Sequence, residues 1–484
     1  MPEGDASFFG HPRGLATLFF TEMWERFSYY GMRALLILFM TANTTSGGLG
    51  FDIPTAGVIY GLFTAMVYLA ALPGGWTADR IIGHRLAVLA GGVLISLGNF
   101  ALCVPEAAAF YGGLSLVVVG TGLLKPNVSA IVGQLYTADD RRRDSGFSIF
   151  YMGINLGAFI SPLVCGWAAY VYGWRTGFLI AGICMALGVV QFLVGSRSLG
   201  DAGRHISTVD HGDAPKQFAI GAAITLGLVA LVVVLSNLGL VTPKAIADAS
   251  GALLLAIVAG FFLWLLSGSQ WRAEERKRLF VIFFLFLAAC VFWSVFEQAG
   301  SSLNLFAERN TNNMVGEFSI PAPWYQSVQP MFIILLAPVF AALWLYLGSR
   351  DPSSPAKFSW ALMLAGAGFL VLSIGAGFSE DGVRVSPLWL VATYFLHTCG
   401  ELCLSPVGLS AMTKLAPARV AGLMMGVYFL SISIGNYLGG RMAAFYESLP
   451  LNWLFGVVGL FAVMAGILLS LFVKPMVRLM GGVR

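Results

Sequence analysis

Long apolar runs follow one another along almost the whole chain, and short polar segments separate them. A membrane-spanning helix needs about 20 predominantly apolar residues, because the hydrocarbon core of a bilayer is about 30 Å thick. The pattern predicts fourteen such helices, grouped as six, two and six. Their predicted ranges are roughly 15–40, 55–77, 86–104, 109–132, 146–171, 175–196, 217–239, 246–267, 279–301, 325–348, 358–378, 387–412, 419–440 and 451–474.

Two charged segments separate the three groups of runs. Residues 196–216 are polar, and residues 270–278 form a second charged join. We therefore expect an all-α polytopic membrane protein built from paired bundles, which is the usual plan of secondary transporters. The predicted regions are a six-helix bundle at 1–196, linkers with two extra helices (about 217–239 and 246–267) at 197–278, and a second six-helix bundle at 279–484.

The composition of the 484 residues supports a membrane protein. Hydrophobic residues make up 58% of the chain and charged residues only 11%, and the mean hydropathy is +0.81. Soluble proteins carry about 25% charged residues, so a soluble enzyme, a nucleic-acid binder and a secreted disulfide scaffold are excluded. The polar N-terminus lacks the basic-then-apolar pattern of a cleaved signal peptide. The first apolar helix is therefore expected to stay in the protein.

The basic residues predict the orientation, because cytoplasmic loops are rich in Lys and Arg. With both termini in the cytoplasm, 20 of the 28 Lys and Arg residues fall in cytoplasmic segments and 5 in outward segments. The other 3, Arg26, Arg33 and Lys125, fall within predicted spans. An even number of spans agrees with termini on the same side.

The first predicted span carries the densest group of charges. Glu22, Arg26, Tyr29 or Tyr30, and Arg33 are spaced by three and four residues, so they share one face of a helix or adjacent faces. Glu25 lies beside them. A charge in a membrane helix costs about 2.5–3.5 kcal/mol on insertion scales, so its default interpretation is functional. The alternative is a structural cluster that neutralises itself near the helix end.

Three further charges lie within later spans. Lys125 falls in the fourth span, and Glu297 and Glu401 are the buried acids expected in the second half. The simplest neutral arrangement pairs Arg33 or Lys125 with Glu297 across the halves. Such a pair can break when the carboxylate takes up a proton, which would link proton binding to opening. The alternative is a permanent packing bridge.

Several polar and aromatic residues inside spans are also candidates. Asn155 and Gln329 are amides in apolar runs, where helix–helix hydrogen bonds are the structural alternative. Candidate pocket residues are Tyr68, Trp293, Tyr394 and Tyr428, although core packing explains each of them singly. His397 precedes Glu401 by four residues, but two ligands without a third are weak evidence for a metal.

The short loop between the second and third spans carries a motif of glycines and charges. The motif residues are Gly75, Asp79, Arg80, Gly83 and Arg85. They resemble the cytoplasmic loop motif of the major facilitator superfamily. Glycines allow a tight turn and close helix approach, and Asp79 is expected to cap a helix and meet an arginine. This motif predicts a conformational latch, and no substrate contact.

Five motifs together resemble the proton-dependent oligopeptide transporters of the major facilitator superfamily. The first span contains Glu22-x-x-Glu25-Arg26-Phe-Ser-Tyr29-Tyr30-Gly31-Met-Arg33. The other matching motifs are Lys125-Pro126-Asn127, Phe150-Tyr151-x-x-Ile-Asn155-Leu-Gly157, Phe296-Glu297-Gln298 and Glu401-x-x-x-Ser405-Pro406. The resemblance covers nearly the whole chain, including the two extra helices of bacterial members. It implies a major facilitator fold that imports di- and tripeptides together with protons.

The resemblance also implies roles for individual residues. Arg26 and Lys125 would hold the peptide carboxylate, and Glu401 and Asn155 would hold its ammonium group. The other residues expected at the peptide are Tyr29, Tyr30, Tyr68, Trp293, Gln329 and Ser405. The residues expected in proton coupling are Glu22, Glu25, Lys125, and the Arg33–Glu297 pair between the halves.

Some positions depart from the family pattern. Gln329 stands where many members have Asn, so its amide reaches one methylene further. Tyr428 stands where a tryptophan is common, and Phe296 where some members have a second Glu. The second span has no histidine of the kind that animal members use. Proton coupling is therefore expected to depend on carboxylates.

We weighed this function against two alternatives. One is a major facilitator transporter of another small amphoteric or anionic solute; Glu401, as an ammonium partner, argues against nitrate. The other is a membrane enzyme or receptor, but the chain shows no HExxH, phosphate-binding loop or nucleophile elbow. We expect no enzyme activity and no cofactor other than protons. A monomer in a bacterial inner membrane, without a nucleic-acid partner, is the expected state.

Overall fold

The computed structural model describes residues 6–137, 139–204, 213–268, 271–379, 382–417 and 420–481. Three predictions fall partly outside these residues. They concern the linker segment 205–212, residue Gln270 of the second join, and the basic residues Arg419 and Arg484.

The described part of the chain is almost entirely helical. Its α-helices are α1 (Arg13–Thr41), α2 (Ile53–Leu69), α3 (Ala71–Thr77), α4 (His84–Ala101), α5 (Ala107–Gln134), α6 (Arg143–Tyr172), α7 (Trp174–Gly195), α8 (Ala214–Asn237), α9 (Pro243–Ser267), α10 (Ala273–Phe296), α11 (Ser302–Arg309), α12 (Val328–Leu347), α13 (Ser354–Gly377), α14 (Leu388–Leu415), α15 (Ala421–Ala443) and α16 (Leu451–Leu479). Two small antiparallel hairpins pair β1 (Ala6–Phe8) with β2 (His11–Pro12) and β3 (Met314–Val315) with β4 (Phe318–Ser319).

Each of the fourteen predicted spans coincides with helical structure, the second of them with both α2 and α3, so the all-helical prediction is confirmed. In the described residues, 10 helical segments are long and apolar enough to cross a membrane. The other predicted spans coincide with α1, α8, α14 and α15, which have 29, 24, 28 and 23 residues. Helices of this length match the thickness of a bilayer core.

The chain divides into two compact units. Unit 1 comprises Met1–Phe39, Thr45–Gly47 and Met66–Ile246, and unit 2 comprises Met40–Thr44, Gly48–Ala65 and Ala247–Arg484. The sequence-based regions 1–196, 197–278 and 279–484 stay a prediction.

Unit 1 has a close helix contact made by glycines on α4 and α5. A Cβ on Gly91 would lie 2.6 Å from the carbonyl oxygen of Gly120, and one on Gly98 would lie 2.7 Å from that of Gly113. The two glycines of α4 are seven residues apart, and so are the two glycines of α5. The four glycines therefore form one continuous seam between the helices. Small residues at such seams let helix backbones approach closely in a membrane. This contact fixes α5, which carries Lys125, against α4.

Unit 2 contains a similar seam between α13 and α16. A Cβ on Gly366 would lie 2.6 Å from the carbonyl oxygen of Gly459. The rings of Phe369 and Phe455 pack nearby, with their centroids 5.6 Å apart.

The second extra helix, α9, is attached to α15 within unit 2. The carboxylate of Asp248 forms an ion pair with Arg441, and the Tyr437 ring packs directly against Gly251. Elsewhere α9 presents large apolar side chains at its surface, such as Leu263, which is 70% exposed. Its outer face is therefore apolar, while Asp248 anchors the other face to α15.

We expect Gly113→Leu to lower the thermal unfolding temperature of the protein in detergent. The added side chain would force α4 and α5 apart, and overpacking of this kind costs about 1–3 kcal/mol. The matched control is Gly112→Leu, because a Cβ on Gly112 meets nothing within 4 Å. A leucine there is a better helix former than glycine, so the control should unfold at the same temperature or higher. Equal unfolding temperatures for Gly113→Leu and Gly112→Leu would contradict a close contact between α4 and α5 at Gly113.

Candidate functional site

Three charged side chains of α1 form a buried cluster in unit 1. The Arg26 Nε atom lies 3.0 Å from Glu22 Oε1 and also contacts the carboxylate of Glu25. Their exposed fractions are 2% for Arg26, 2% for Glu22 and 0% for Glu25. The spacing of three and four residues that the sequence shows therefore becomes a real ion-pair cluster, with one guanidinium between two carboxylates.

Aromatic rings surround the cations of unit 1. Arg26 lies over the ring of Tyr29, 5.6 Å from its centroid, and Arg33 lies 5.7 Å from that of Tyr30. The Lys125 ammonium is 4.0 Å from the centroid of the Tyr68 ring. Such contacts stabilise a cation that has left water, because the face of an aromatic ring is electron-rich.

Lys125 also belongs electrostatically to the α1 cluster. It is close enough to Glu22 and Glu25 to interact with both carboxylates. The structure thus brings together a group of charges that the sequence distributes over two helices.

Helix α6 approaches this cluster through Gly157. A Cβ on Gly157 would lie 3.0 Å from Cβ of Arg26, so only glycine permits this approach. Asn155, two residues earlier, is 5% exposed and its amide nitrogen donates to the Tyr151 carbonyl oxygen at 3.0 Å. The motif on α6 therefore combines a close contact with a buried amide.

Unit 2 places a carboxylate among polar and aromatic side chains. Glu401 on α14 is 9% exposed, and the side chain of Gln329 of α12 lies close enough to interact with its carboxylate. Glu297, which is 5% exposed, lies near enough to interact electrostatically with Glu401. Two acids of the second half, predicted separately, therefore belong to one cluster.

Tyr428 of α15, which the sequence offers only as a candidate pocket residue, joins this cluster. Its hydroxyl group faces the side chains of Ser405 and Trp293 and interacts electrostatically with Glu401. A tyrosine in an apolar run has no sequence signal that separates pocket from core. Only the packing of α15 against α10 and α14 assigns it to this group.

His397 is fully buried in an aromatic stack. Its ring lies 5.4 Å from that of Phe369 at an interplanar angle of 15°, and 6.2 Å from that of Phe296. Among the described residues, no group of three or more His, Cys, Asp or Glu side chains is arranged to hold a metal ion. The ring of His397 therefore packs as part of the aromatic core of unit 2.

The members of the expected Arg33–Glu297 pair belong to different units, Arg33 to unit 1 and Glu297 to unit 2. Both are buried, with exposed fractions of 5% each. Their pairing stays a prediction.

The loop motif forms a tight turn between α3 and α4. Residues 78–82 form a π-helical turn, and Gly83 has φ = +79°, a conformation that favours glycine. Arg85 then donates two hydrogen bonds to the segment after α7, at 2.7 Å to the Ala202 oxygen and 2.6 Å to the Gly200 oxygen. Arg80 lies over the Trp76 ring.

The predicted role of Asp79 differs from what the structure shows. In the described part of the chain its recorded partner is His84, with Nε2 at 3.5 Å, and α4 begins without a side-chain cap. The reason is the π-helical turn, which brings Asp79 back towards the first residue of α4. His84 in turn contacts Asn127 of α5, with Nδ1 2.8 Å from Oδ1.

Some buried polar atoms of both clusters have no hydrogen-bond partner among the described residues. They include Glu22 Oε2, Arg26 Nη2 and Glu401 Oε2. Buried polar groups in native proteins are nearly always paired, so each such atom calls for an explanation. A guanidinium N–H suits a carboxylate ligand, and a carboxylate oxygen suits an ammonium group or a proton.

Comparisons with known proteins show close relatives along almost the whole chain. A family model described as the POT family matches residues 85–459. The chain is 42% identical over 479 residues to the uncharacterised transporter YclF of Bacillus subtilis, which covers 98% of this chain and 96% of the relative. It is 41% identical over 497 residues to the peptide transporter YePEPT of Yersinia enterocolitica, with 99% and 97% covered.

A solved structure is equally similar. The crystal structure of a peptide transporter POT in complex with sulfate has a TM-score of 0.94 and 42% sequence identity to this chain. The similarity covers 98% of this chain and 97% of the other.

We expect Arg26→Gln to destabilise the protein strongly, because it leaves Glu22 and Glu25 buried without their shared counter-charge. Removing one partner of a buried ion pair typically costs about 3–5 kcal/mol. Adding Glu25→Gln to that variant should recover part of the loss, which thermal unfolding in detergent would measure. Arg142→Gln, which breaks an exposed ion pair with Asp140, is the control and should not change the unfolding temperature. If Arg26→Gln and Arg142→Gln changed the unfolding temperature equally, the result would contradict a stabilising ion-pair cluster on α1.

Proposed function

Because the chain belongs to the POT family, we propose that it is a proton-coupled symporter that imports di- and tripeptides by alternating access between two helix bundles. The observation that carries this proposal is the contrast between the two buried clusters, one centred on cations and the other on a carboxylate. A peptide is a zwitterion with one group of each sign. Relatives named as peptide transporters support this substrate class.

We assign the peptide carboxylate to unit 1. Arg26 and Lys125 supply the cations, and each lies over an aromatic ring, Arg26 over that of Tyr29 and Lys125 over that of Tyr68. A guanidinium can form two parallel hydrogen bonds with a carboxylate, and Arg26 Nη2 has no partner among the described residues. Tyr30 completes the proposed contacts with the carboxylate, whereas Asn155 is assigned with Glu401 to the ammonium group.

The peptide ammonium group is assigned to Glu401 in unit 2. Gln329 interacts with this carboxylate, and Glu401 Oε2 has no partner among the described residues. Trp293 and Ser405 are the other proposed contacts, and Tyr428 joins them because it faces both. Many family members have Asn at the position of Gln329. The longer Gln329 side chain still places its amide beside the Glu401 carboxylate.

Proton coupling is assigned to the carboxylates of α1. Glu22 and Glu25 compete for one guanidinium, so uptake of a proton by either acid changes the charge that Arg26 can offer to a peptide. Lys125 interacts with both acids and transmits the same change. Breaking of the Arg33–Glu297 pair would then link this change of charge to the opening of the bundles.

The proposed setting is the inner membrane of a bacterium, with both termini in the cytoplasm and the protein acting as a monomer. The excess of basic residues on one side of the predicted spans supports this orientation. The bundles 1–196 and 279–484, with linkers at 197–278, remain our proposed division of the chain. The loop motif around Arg85 would act as the latch on the cytoplasmic side.

Liposomes containing the purified protein should accumulate radiolabelled dialanine when an inward proton gradient is applied, and fail to accumulate it without one. Glu22→Gln and Glu25→Gln should each lose gradient-driven accumulation while retaining exchange of internal for external peptide. The reason is that an amide keeps the size of the side chain but cannot take up a proton.

The control for these variants is Glu106→Gln, which changes an exposed acid outside the clusters. It should accumulate peptide as well as the wild type. Accumulation against a gradient by Glu22→Gln or Glu25→Gln would remove that acid from coupling. Absence of uptake by the folded wild-type protein would favour the alternative solute class.

We expect Glu401→Gln to weaken the binding of peptides with a free amino group by about tenfold to a hundredfold, as loss of a charge-assisted hydrogen bond of about 1.5–3 kcal/mol predicts. N-acetylated peptides, which lack the positive charge, should bind to the variant and the wild type alike. Competition against labelled dipeptide uptake measures both affinities. Glu317→Gln, at an exposed loop position, is the matched control. Unchanged affinity for free-amino peptides would exclude Glu401 from the site.

A further inference from the structure

Unit 2 contains a cavity whose lining does not include the proposed peptide-binding residues. It is formed by the loop 348–354, the start of α13, and the ends of α14 and α16. Its volume is about 680 Å³, within the range of about 300–1,000 Å³ that is usual for small-molecule sites. It lies on the side of the chain where the sequence predicts the cytoplasm.

The wall of this cavity is strongly basic. Five basic residues line it. One of them, Lys357, is paired with Asp351, and the other four are Arg350, Lys414, Lys474 and Arg478. Within the described ranges, no carboxylate lies within 4 Å of any of these four side chains. The cavity also contains an acid, Asp351, but that residue is already paired with Lys357 at 2.8 Å. The cavity therefore has an excess of positive charge that its own residues do not neutralise.

The start of α13 adds to this positive potential. Ser353 and Ser354 line the cavity, Ser353 makes no side-chain capping bond, and the first turn of this 24-residue helix contains no acid. The amino end of a helix carries a partial positive charge and favours anions. The two hydroxyl groups are hydrogen-bond donors of the kind that phosphate oxygens accept.

The cavity also has an apolar wall, formed by Val407 and Ala411 of α14 and by Val473 and Val477 of α16. Phe472, the neighbour of Val473 on α16, is 53% exposed, so α16 carries exposed apolar surface next to this wall. A ligand that fits both the basic and the apolar residues has an anionic group joined to an apolar chain.

We propose that this cavity binds the phosphate of an anionic phospholipid from the cytoplasmic leaflet. The phosphate lies among the four cations and the Ser353 and Ser354 hydroxyls, and an acyl chain lies along the exposed face of α16. Basic pockets between membrane helices on this side bind anionic headgroups, which the negative surface of the leaflet supplies. A soluble phosphate shares the anionic chemistry, but it would leave the apolar wall unused.

The consequence for the molecule concerns α14. The lining residue Lys414 lies near the end of the helix that carries Glu401 and Ser405. A lipid held there would connect the ends of α14 and α16 to the loop 348–354. Lipid composition would then affect the stability of unit 2, independently of the substrate that the protein carries.

Lipid binding to the full-length protein tests this proposal directly. Native mass spectrometry of the purified protein, titrated with phosphatidylglycerol or phosphatidylethanolamine, should show preferential binding of phosphatidylglycerol. The double variant Lys474→Gln/Arg478→Gln should lower that affinity by roughly tenfold to thirtyfold, as loss of two basic residues near an anionic group predicts. The matched control, Arg272→Gln/Lys277→Gln, removes the same charge from exposed positions outside the cavity.

Three results would overturn the assignment. The first is equal binding of the two lipids by the wild type, and the second is an equal loss of affinity in the control variant. The third is displacement of phosphatidylglycerol by inorganic phosphate as readily as by a soluble short-chain phosphatidylglycerol, which would assign the cavity to a free anion. Arg350→Gln provides an independent test if the double variant fails to fold. The readout is lipid binding, so it does not depend on the transport assay.

Discussion

The cost of placing charges inside a membrane helix governs the arrangement of this protein. Helix α1 carries Glu22, Glu25 and Arg26 where a lipid-facing helix would be apolar, and isolated charges at that depth are expensive. The ion pairs between Arg26 and the two acids reduce this cost. They also require that this face of α1 be covered by other helices, which explains why its neighbours carry small residues and aromatic rings.

The neighbours of α1 meet this requirement in specific ways. Gly157 lets α6 come within van der Waals distance of Arg26, and Tyr68 covers Lys125 on α5. The glycine seam between α4 and α5 then holds α5 in position. The position of Lys125 in the charge cluster therefore depends on the packing of α5 against α4. A bulky residue in the glycine seam would displace Lys125.

The two units use buried charge differently. In unit 1, cations and acids neutralise one another within a compact group, whereas unit 2 presents Glu401 with the amide of Gln329 and the rings of Trp293 and Tyr428. The basic residues at helix ends also make different contacts in the two units. Arg85 is tied to backbone carbonyl groups of the following linker, while the cations around Arg478 form an open cavity.

The sequence by itself determined the helices, because a long apolar run in a bilayer has one structural solution that satisfies every backbone hydrogen bond. It also determined the α1 cluster, since residues three and four apart on a helix are neighbours whatever surrounds them. Contacts between helices were decided by tertiary packing. The partner of Asp79, the place of Tyr428 beside Ser405, and the meeting of residues 348–354 with α14 and α16 all join segments distant in sequence. Their side chains carry no periodic signal, because such contacts depend on which helix faces which, and that choice is made only when the bundle packs.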